Sequence, residues 1–171
     1  SMMGLGHGRA QLQYVTIGGT REGKVTHYQL HLLQDAGAFA DIGGVLAFAM
    51  TRPMASAVYD IANVECRALT VITNTTPTVP YRGAGRPEAT AAAERAMDLF
   101  ALEIGKDAAE VRRMNLIPKF LEPHATAIGH AYDVGDFEGA LDKALAAAGY
   151  EELRTEQAGR RAAGDVKQLG I

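Results

Sequence analysis

The sequence predicts an α+β fold in which helices pack on a small mixed or antiparallel sheet. Three segments with the composition and alternation of strands lie in the first half of the chain, and segments with helical spacing follow them. Strands grouped ahead of helices are typical of α+β domains, whereas α/β folds alternate the two kinds of element. At 171 residues the chain is expected to form a single domain with its own hydrophobic core.

The strand predictions rest on alternation and on turn residues. Residues 11–17 alternate between two sets of strand-forming side chains, and a second strand is predicted for 24–33, after the Gly-rich turn at 18–23. We therefore expect a β-hairpin with a long loop. A third strand is predicted for 64–73, which is rich in β-branched residues. The Gly- and Ala-rich stretch before it is less regular, and a short helix is predicted there from Val45 to Met54.

Helices are predicted from apolar spacing and from capping residues. Apolar side chains recur at helical intervals from Pro87 to Ile104, and Gly105 is a typical stop residue. A capping box that begins at Asp107 starts a second helix, which ends near Asn115. The stretch 118–129 is predicted to be irregular. A third helix is predicted to begin at Gly135-Asp136 and to run through Ala148. A polar fourth helix is predicted at 151–163.

Composition argues against several classes of function. The formal net charge is −3 and the 17 Lys and Arg residues are dispersed, which is not the pattern of a nucleic-acid-binding protein. Cys66 is the only cysteine, so no disulfide framework or cysteine-ligated cluster is expected, and we interpret it as a buried structural thiol. No apolar run approaches the roughly 20 residues that span a bilayer, and the first residues do not have the pattern of a secretory signal. A cytoplasmic location is therefore expected.

No metal site is predicted from the histidines or the acidic residues. His27 and His31 are four residues apart, but in a predicted strand this spacing places them on one side and far from each other. The sequence has no His-Glu-x-x-His pattern. Three acidic residues lie within two residues of a glycine. We interpret Asp35, Asp133 and Asp136 as turn and helix-capping residues.

The most informative segment is the turn between the third strand and the long helix, here called the Arg-Gly loop (residues 81–86). Gly83 and Gly85 allow backbone amides to approach a ligand closely, and the amides at the start of the following helix favour negative charge. Arg82 and Arg86 add planar donors that stay protonated. The loop is therefore a candidate cradle for an anionic or oxygen-rich ligand. An ordinary turn that bends at its glycines is the alternative, and the local pattern does not decide between them.

The sequence PYRGAGRPEA resembles the active-site loop of the molybdenum hydroxylases, the family of xanthine dehydrogenases, aldehyde oxidases and aerobic carbon monoxide dehydrogenases. It is most similar to the carbon-monoxide-dehydrogenase-like form of the large subunit. Shorter matches extend the resemblance from about Gly4 to Tyr150, in the same order as in the family: Gly8–Gln11, Asp35–Phe39, Glu110–Ile117 and Tyr132–Phe137. Large subunits of this family are several times longer, so residues 1–171 are expected to be one domain within an internal fragment of such a subunit, part of its molybdopterin-binding domain. Ser1-Met2 is interpreted as an expression-tag scar.

The resemblance also implies roles for the loop residues. Arg82 would be a catalytic residue that stabilises oxygen charge developing on the substrate. The residues expected to approach a molybdopterin-type cofactor are Gly83, Ala84, Gly85 and Arg86. The alternative for Arg82 is a structural ion pair, for which Glu88 and Glu94 are available.

One position departs from the carbon monoxide dehydrogenases of the family. In those enzymes a cysteine follows the loop arginine and binds copper through a soft thiolate, whereas this sequence has Gly83. The resemblance therefore favours an organic substrate, such as an aldehyde or an N-heterocycle. The family's glutamate base and its Gly-Gly-Phe-Gly cofactor segment lie elsewhere in the large subunit, so the chain by itself is expected to be inactive and without cofactor.

The implied parent is an oxidoreductase that hydroxylates carbon in a small-molecule substrate and passes electrons to iron–sulfur and FAD subunits or domains. Two other classes stay open: a non-enzymatic interaction domain that binds an anionic partner through the Arg-Gly loop, and an unrelated small α+β enzyme that uses the loop as an oxyanion cradle. Exposed apolar surface is expected around Val45–Met54 and Pro118–Ile128, together with self-association of the chain.

Overall fold

A mixed three-stranded sheet carries the Arg-Gly loop at its end. The computed structural model describes residues 6–171, so the interpretation of Ser1-Met2 lies outside the described residues. Strands β1 (Gln11–Gly19) and β2 (Val25–Asp35) form an antiparallel hairpin, and β2 pairs in parallel with β3 (Asn63–Val71). The sheet order is β1-β2-β3. The predicted α+β class, the hairpin and the three strands are confirmed.

The parallel pairing requires a crossover between β2 and β3, and short helical turns lie within it. They are a 3-10 turn at Ile42–Val45, a π-helical turn at Ala47–Thr51 and a 3-10 turn at Arg52–Met54. The helical segment therefore lies where it was predicted, but it is not a regular α-helix. Pro53 lacks an amide hydrogen and cannot continue the hydrogen-bonding pattern of a helix that begins several residues earlier.

Helix α1 (Arg86–Ile104) packs an alanine-rich face on one side of the sheet and ends at Gly105, as predicted. Its buried side chains are Ala89, Ala92, Ala93, Ala96, Met97, Phe100 and Ala101. The small residues let the helix approach the sheet closely, where Leu30 and Leu32 of β2 complete the core. This packing fixes the position of the first turn of α1, which the Arg-Gly loop enters.

Helix α2 (Ala108–Asn115) begins at the predicted cap, because the Asp107 carboxylate accepts the amides of Ala109 and Glu110. The fully buried Asn115 ends the helix and ties it to the hairpin. Its side-chain oxygen accepts the Val25 amide at 2.8 Å, and its amide nitrogen donates to the Gly23 carbonyl at 2.8 Å. The sequence predicted the cap but not this tertiary anchor.

The C-terminal part adds a small hairpin and two helices. The segment predicted to be irregular contains β4 (His124–Ala125), which pairs with β5 (Ala131–Tyr132). Helices α3 (Phe137–Ala148) and α4 (Tyr150–Ala162) follow, each within about one residue of the prediction. Across residues 6–171, no helix combines the length and the hydropathy needed to cross a membrane.

The second face of the sheet is left open within the described residues. Leu12 and Tyr14 of β1 and Leu69 of β3 are exposed there. Val45, Phe48 and Leu121 are also exposed, which confirms the apolar surface expected around Val45–Met54 and Pro118–Ile128. The open sheet face itself was not predicted.

Candidate functional site

The Arg-Gly loop has an uncommon backbone conformation. Gly83, Ala84 and Gly85 have φ angles of 96°, 47° and 94°, so three consecutive residues are left-handed. Glycine adopts such angles at little cost, but an alanine there stores strain of order 1–3 kcal/mol. Strain of this kind persists only where neighbouring contacts hold it, and it is concentrated at functional sites.

The turn leaves backbone donors without protein acceptors. The Ala84 amide donates to the Tyr81 carbonyl at 2.7 Å, and the Arg86 amide donates to the Gly83 carbonyl at 3.1 Å. In contrast, the amides of Gly83 and Gly85 donate to no backbone or side-chain acceptor in the described part of the chain. Both precede the N-terminus of α1, where the helix adds partial positive charge. The loop therefore offers unpaired donors to an anionic or oxygen-rich group.

The Arg-Gly loop packs at Gly85 against a segment that contains the buried residue Thr51. A methyl group on Gly85 would lie 2.8 Å from Thr51 Oγ1 and 2.9 Å from Met50 Cβ, so only glycine fits against this segment. Thr51 is fully buried and accepts a hydrogen bond from Gln11 Nε2 at 2.9 Å. Gln11 Nε2 also lies 2.9 Å from Gln34 Oε1, which accepts a second bond from it. The strand predictions included Gln11 but ended one residue before Gln34, and they did not indicate the contact of these glutamines with the segment that packs on the loop.

Asp35 connects the end of β2 to the segment that leads into the loop. Its carboxylate accepts hydrogen bonds from the Gly37 amide at 2.7 Å and from the hydroxyls of Thr73 and Thr75 at 2.7 and 2.9 Å. These bonds, that of Gly37 foremost, hold the pKa of Asp35 below its ordinary value. The predicted turn role is confirmed, and the two threonine contacts extend it to the approach of the Arg-Gly loop.

The Arg82 side chain is exposed, and its guanidinium forms no hydrogen bond or ion pair with any residue from 6 to 171. The two carboxylates considered as structural partners are paired elsewhere. Glu88 Oε2 lies 3.0 Å from Arg9 Nη1, and Glu94 Oε2 lies 2.8 Å from Arg112 Nε. Within residues 6–171, the ion pair of Arg82 with Glu88 or Glu94 that was considered as the structural alternative is not formed.

Arg9 belongs to the site, and sequence reasoning did not assign it a role. Its Nη2 donates to the carbonyl oxygen of Arg82 at 2.8 Å, its Nη1 pairs with Glu88, and its guanidinium lies 4.9 Å from the centroid of the Tyr81 ring. Arg9 and Glu88 are 79 residues apart, so no local pattern could reveal the pair. The only signal was the short match at Gly8–Gln11.

The remaining predicted site residues lie in the same loop. Arg86 begins α1, and its Nη1 lies 3.8 Å from Met50 Sδ, a weak contact that leaves most of its donors available. A methyl group on Gly83 would lie 2.5 Å from Pro87 Cγ, so this glycine packs against the proline in the first turn of α1. The predicted catalytic and cofactor-binding residues are thus brought together.

Cys66 lies apart from the loop, on β3. It is half-buried rather than fully buried, packs against the core, and burial raises the pKa of its thiol to about 11. Cys66 is not one of the residues of the Arg-Gly loop, and the position after the loop arginine is Gly83. In the described range, no cluster of three or more His, Cys, Asp or Glu side chains could hold a metal ion.

The chemistry of the donor set defines what the site can hold. It combines the Arg82 guanidinium, the amides of Gly83 and Gly85 and the N-terminus of α1, all of which are donors. The one carboxylate of the first helical turn, Glu88, is neutralised by Arg9. Such a set fits the oxygen atoms of an anionic cofactor or substrate and does not fit a bare cation.

Comparisons with known proteins show which family the chain belongs to. A family of molybdopterin cofactor-binding domains matches residues 1–116. The carbon monoxide dehydrogenase large chain of Hydrogenophaga pseudoflava is 37% identical over 149 residues, which are 85% of this chain and 19% of that protein. The nicotine 6-hydroxylase large subunit of Paenarthrobacter nicotinovorans is 30% identical over 167 residues, 95% of this chain and 20% of that protein.

A solved structure of similar fold supports the same family. A crystal structure of a Cu,Mo-CO dehydrogenase in its carbon monoxide reduced state superposes with a TM-score of 0.80 at 31% identity, and covers 90% of this chain and 20% of that one. The chain thus spans about a fifth of the length of the relatives it matches. The predicted resemblance and the predicted fold are confirmed.

Proposed function

Since the chain belongs to the molybdopterin cofactor-binding domain family, we propose that it forms one wall of the cofactor and substrate site of a molybdenum-dependent hydroxylase. The observation that carries the proposal is the set of unpaired donors in the Arg-Gly loop. The amides of Gly83 and Gly85 and the guanidinium of Arg82 lack partners within residues 6–171. Buried polar groups in folded proteins are normally hydrogen-bonded, so the unpaired amide of the buried Gly85 supports a ligand at this site.

The backbone of the loop is the part proposed to contact the cofactor. Gly83 and Gly85 would present their amides to its oxygen atoms, Ala84 would hold the turn between them through its own amide bond to the Tyr81 carbonyl, and Arg86 would add a charged donor from the first turn of α1. When bound, the molybdenum cofactor supplies the oxidative hydroxylation chemistry, and the protein supplies binding, orientation and electrostatics. Glycine at positions 83 and 85 lets the loop adopt the positive φ angles of this turn at little cost.

Arg82 is proposed to act on the substrate. A fixed guanidinium beside the reacting carbon would stabilise negative charge that develops on oxygen in the transition state, and many enzymes owe most of their rate enhancement to stabilisation of this kind. This role requires an arginine that is not neutralised by a neighbouring carboxylate. The pairing of Glu88 with Arg9 and of Glu94 with Arg112 supports it.

The proposed substrate class is an organic molecule, such as an aldehyde or an N-heterocycle. Gly83 occupies the position after the loop arginine and cannot ligate copper, and the thiol of Cys66 lies on β3. A relative of similar coverage is named for the hydroxylation of nicotine, an N-heterocycle. These observations favour carbon hydroxylation of an organic substrate over oxidation of carbon monoxide.

We further propose that the chain is one part of a larger catalytic subunit that works with iron–sulfur and FAD subunits or domains. It spans about a fifth of the carbon monoxide dehydrogenase and nicotine 6-hydroxylase relatives, which are named as the large chain and the large subunit of their enzymes. The exposed apolar face formed by Leu12, Tyr14 and Leu69 supports packing against further protein. The proposed location is the cytoplasm.

Metal and pterin analysis of the full-length protein tests the proposed function. The protein should be produced in a host that makes the molybdenum cofactor and purified with its partners. We expect about one molybdenum and one pterin per large subunit, the stoichiometry of a single cofactor site. A protein that is folded and assembled but contains neither would contradict the proposal.

A further inference from the structure

We propose that Arg9 is a positioning residue for the Arg-Gly loop, which it holds against the first turn of α1. The catalytic consequence of this inference rests on the proposed function, whereas the positioning itself does not. The Arg9 guanidinium forms hydrogen bonds with residues on both sides of the strained turn. It contacts the Arg82 carbonyl before the turn and the Glu88 carboxylate after it.

The geometry of the contact requires an arginine. Nη2 donates to the Arg82 oxygen at 2.8 Å while Nη1 donates to Glu88 Oε2 at 3.0 Å. A planar guanidinium presents these two donors in a fixed relative orientation, whereas a lysine ammonium is a single point charge on a flexible stem. The Glu88 side chain is only 10% exposed, so its pair with Arg9 is shielded from solvent more than a surface ion pair.

Arg9 is itself held in place. Its backbone has a φ of 60°, and the preceding residue packs closely on the loop, since a methyl group on Gly8 would lie 2.7 Å from Tyr81 Cβ. The Val79 amide donates to the His7 carbonyl at 2.7 Å and joins the two segments by their backbones. The Tyr81 ring lies beside the Arg9 guanidinium. The side chain therefore has a fixed base from which to orient the loop.

The loop needs such an external contact. Within it, the Ala84 and Arg86 amides make the hydrogen bonds that close the turn, and Ala84 is in a strained conformation. Loss of the Arg9 contact would free the Arg82 carbonyl and let the turn relax. It would also release the Glu88 carboxylate, which could then neutralise Arg82. Both changes would misplace the donors proposed to face the ligand.

Hydrogen–deuterium exchange on the full-length protein with its partners tests the positioning directly. In Arg9→Ala we expect amide exchange in peptides covering residues 84–89 to rise by about tenfold, because local opening becomes easier. Arg9→Lys keeps the charge but not the paired donors, and should give a smaller increase of about threefold. Arg21→Ala is the control, because Arg21 is an exposed arginine in the turn between β1 and β2, and it should leave exchange in these peptides unchanged.

Steady-state kinetics on the same proteins supplies the functional readout. We expect Arg9→Ala to lower kcat by about tenfold with little change in KM or in molybdenum content, because the catalytic donor is misplaced rather than removed. Arg9→Lys should recover part of kcat. If Arg9→Ala does not fold, Arg9→Lys carries both measurements.

Three outcomes would decide the matter. Unchanged exchange at residues 84–89 in a folded Arg9 variant would overturn the positioning role, whatever the activity. Raised exchange with unchanged kcat would support the positioning of the loop but overturn its catalytic consequence, because the loop geometry would then not matter to catalysis. Raised exchange in a full-length protein that contains no molybdenum would support the positioning of the loop and reject the proposed function.

Discussion

The carboxylate of Glu88 pairs with Arg9 at 3.0 Å and not with Arg82, which is much nearer to it in sequence. Arg9 reaches Glu88 from the N-terminal side of β1, across 79 residues of chain. The pair neutralises the acidic residue at the start of α1, and Arg82 keeps its charge available. Within the described residues, the fold thus pairs one arginine of the loop region with a carboxylate and leaves the other without an ion pair.

The Gly83→Ala substitution should reduce the cofactor content of the full-length protein. Gly83 has a φ of 96°, and an added methyl group would lie 2.5 Å from Pro87 Cγ, so the turn must change shape. We therefore expect the loop amides to be displaced. The cause would be the clash of the added methyl group with Pro87 and not crowding of a ligand. Molybdenum content per subunit measures it, and we expect a substantial loss.

Gly105→Ala is the matched control for this prediction. Gly105 also has a positive φ, of 70°, but no atom would lie within 4 Å of an added methyl group. Its cost is limited to the conformational strain of a left-handed alanine, about 1–2 kcal/mol, at a position outside the site. Full molybdenum content in Gly83→Ala, equal to that of Gly105→Ala, would contradict the proposed cofactor contact.

Asn115→Ala should destabilise the 171-residue chain by about 2–4 kcal/mol, because it leaves buried backbone groups without partners. The side chain of Asn115 satisfies the Val25 amide and the Gly23 carbonyl, and it is fully buried. Urea unfolding measures the difference. Asn63→Ala removes a single exposed hydrogen bond, to the Thr26 carbonyl, and should cost about 1 kcal/mol or less. Equal losses for the two variants would argue against the anchor.

Asp35 should make the stability of the fold depend on pH in the acid range. Its pKa is lowered in the folded chain, mainly by the Gly37 amide and then by the Thr73 hydroxyl. Such a group stabilises the fold at pH values above its unfolded pKa of about 3.9, and the contribution is lost as the pH falls through the lowered folded pKa. The unfolding free energies of the wild type and Asp35→Asn should therefore differ at pH 7 and converge in acid. A difference that stays constant down to pH 2 would contradict this account.

Much of the fold could be predicted because its elements carry local signals. Gly105 and Asp107 mark a helix end and a helix start through their own backbone and capping chemistry, and the structure places both as predicted. The alternation in β1 and the turn residues after it were sufficient to predict the hairpin with β2. The glycines of the Arg-Gly loop likewise indicated a tight turn, and the structure has a left-handed backbone there.

The features of the fold and of the site that could not be predicted depend mostly on contacts between segments that are distant in sequence. Such contacts have no local signal. The pairing of Arg9 with Glu88 and the attachment of Asn115 to the Val25 amide are set by how the elements pack. The segment 42–54 was difficult for another reason, because glycine and alanine give weak spacing signals and Pro53 interrupts them. The identification of the site itself came from the family resemblance, since the local pattern of the loop also fits an ordinary turn.

The most direct test of the proposed function is the activity of Arg82→Ala in the full-length enzyme, measured together with its molybdenum content and compared with Arg21→Ala. We predict that kcat/KM falls by about 10²–10³ while the molybdenum content stays near that of the wild type, because Arg82 is proposed to act on the substrate. Arg21→Ala should change neither quantity, since its side chain lies in the β1–β2 turn. Full activity of Arg82→Ala with molybdenum bound would contradict the catalytic role of Arg82.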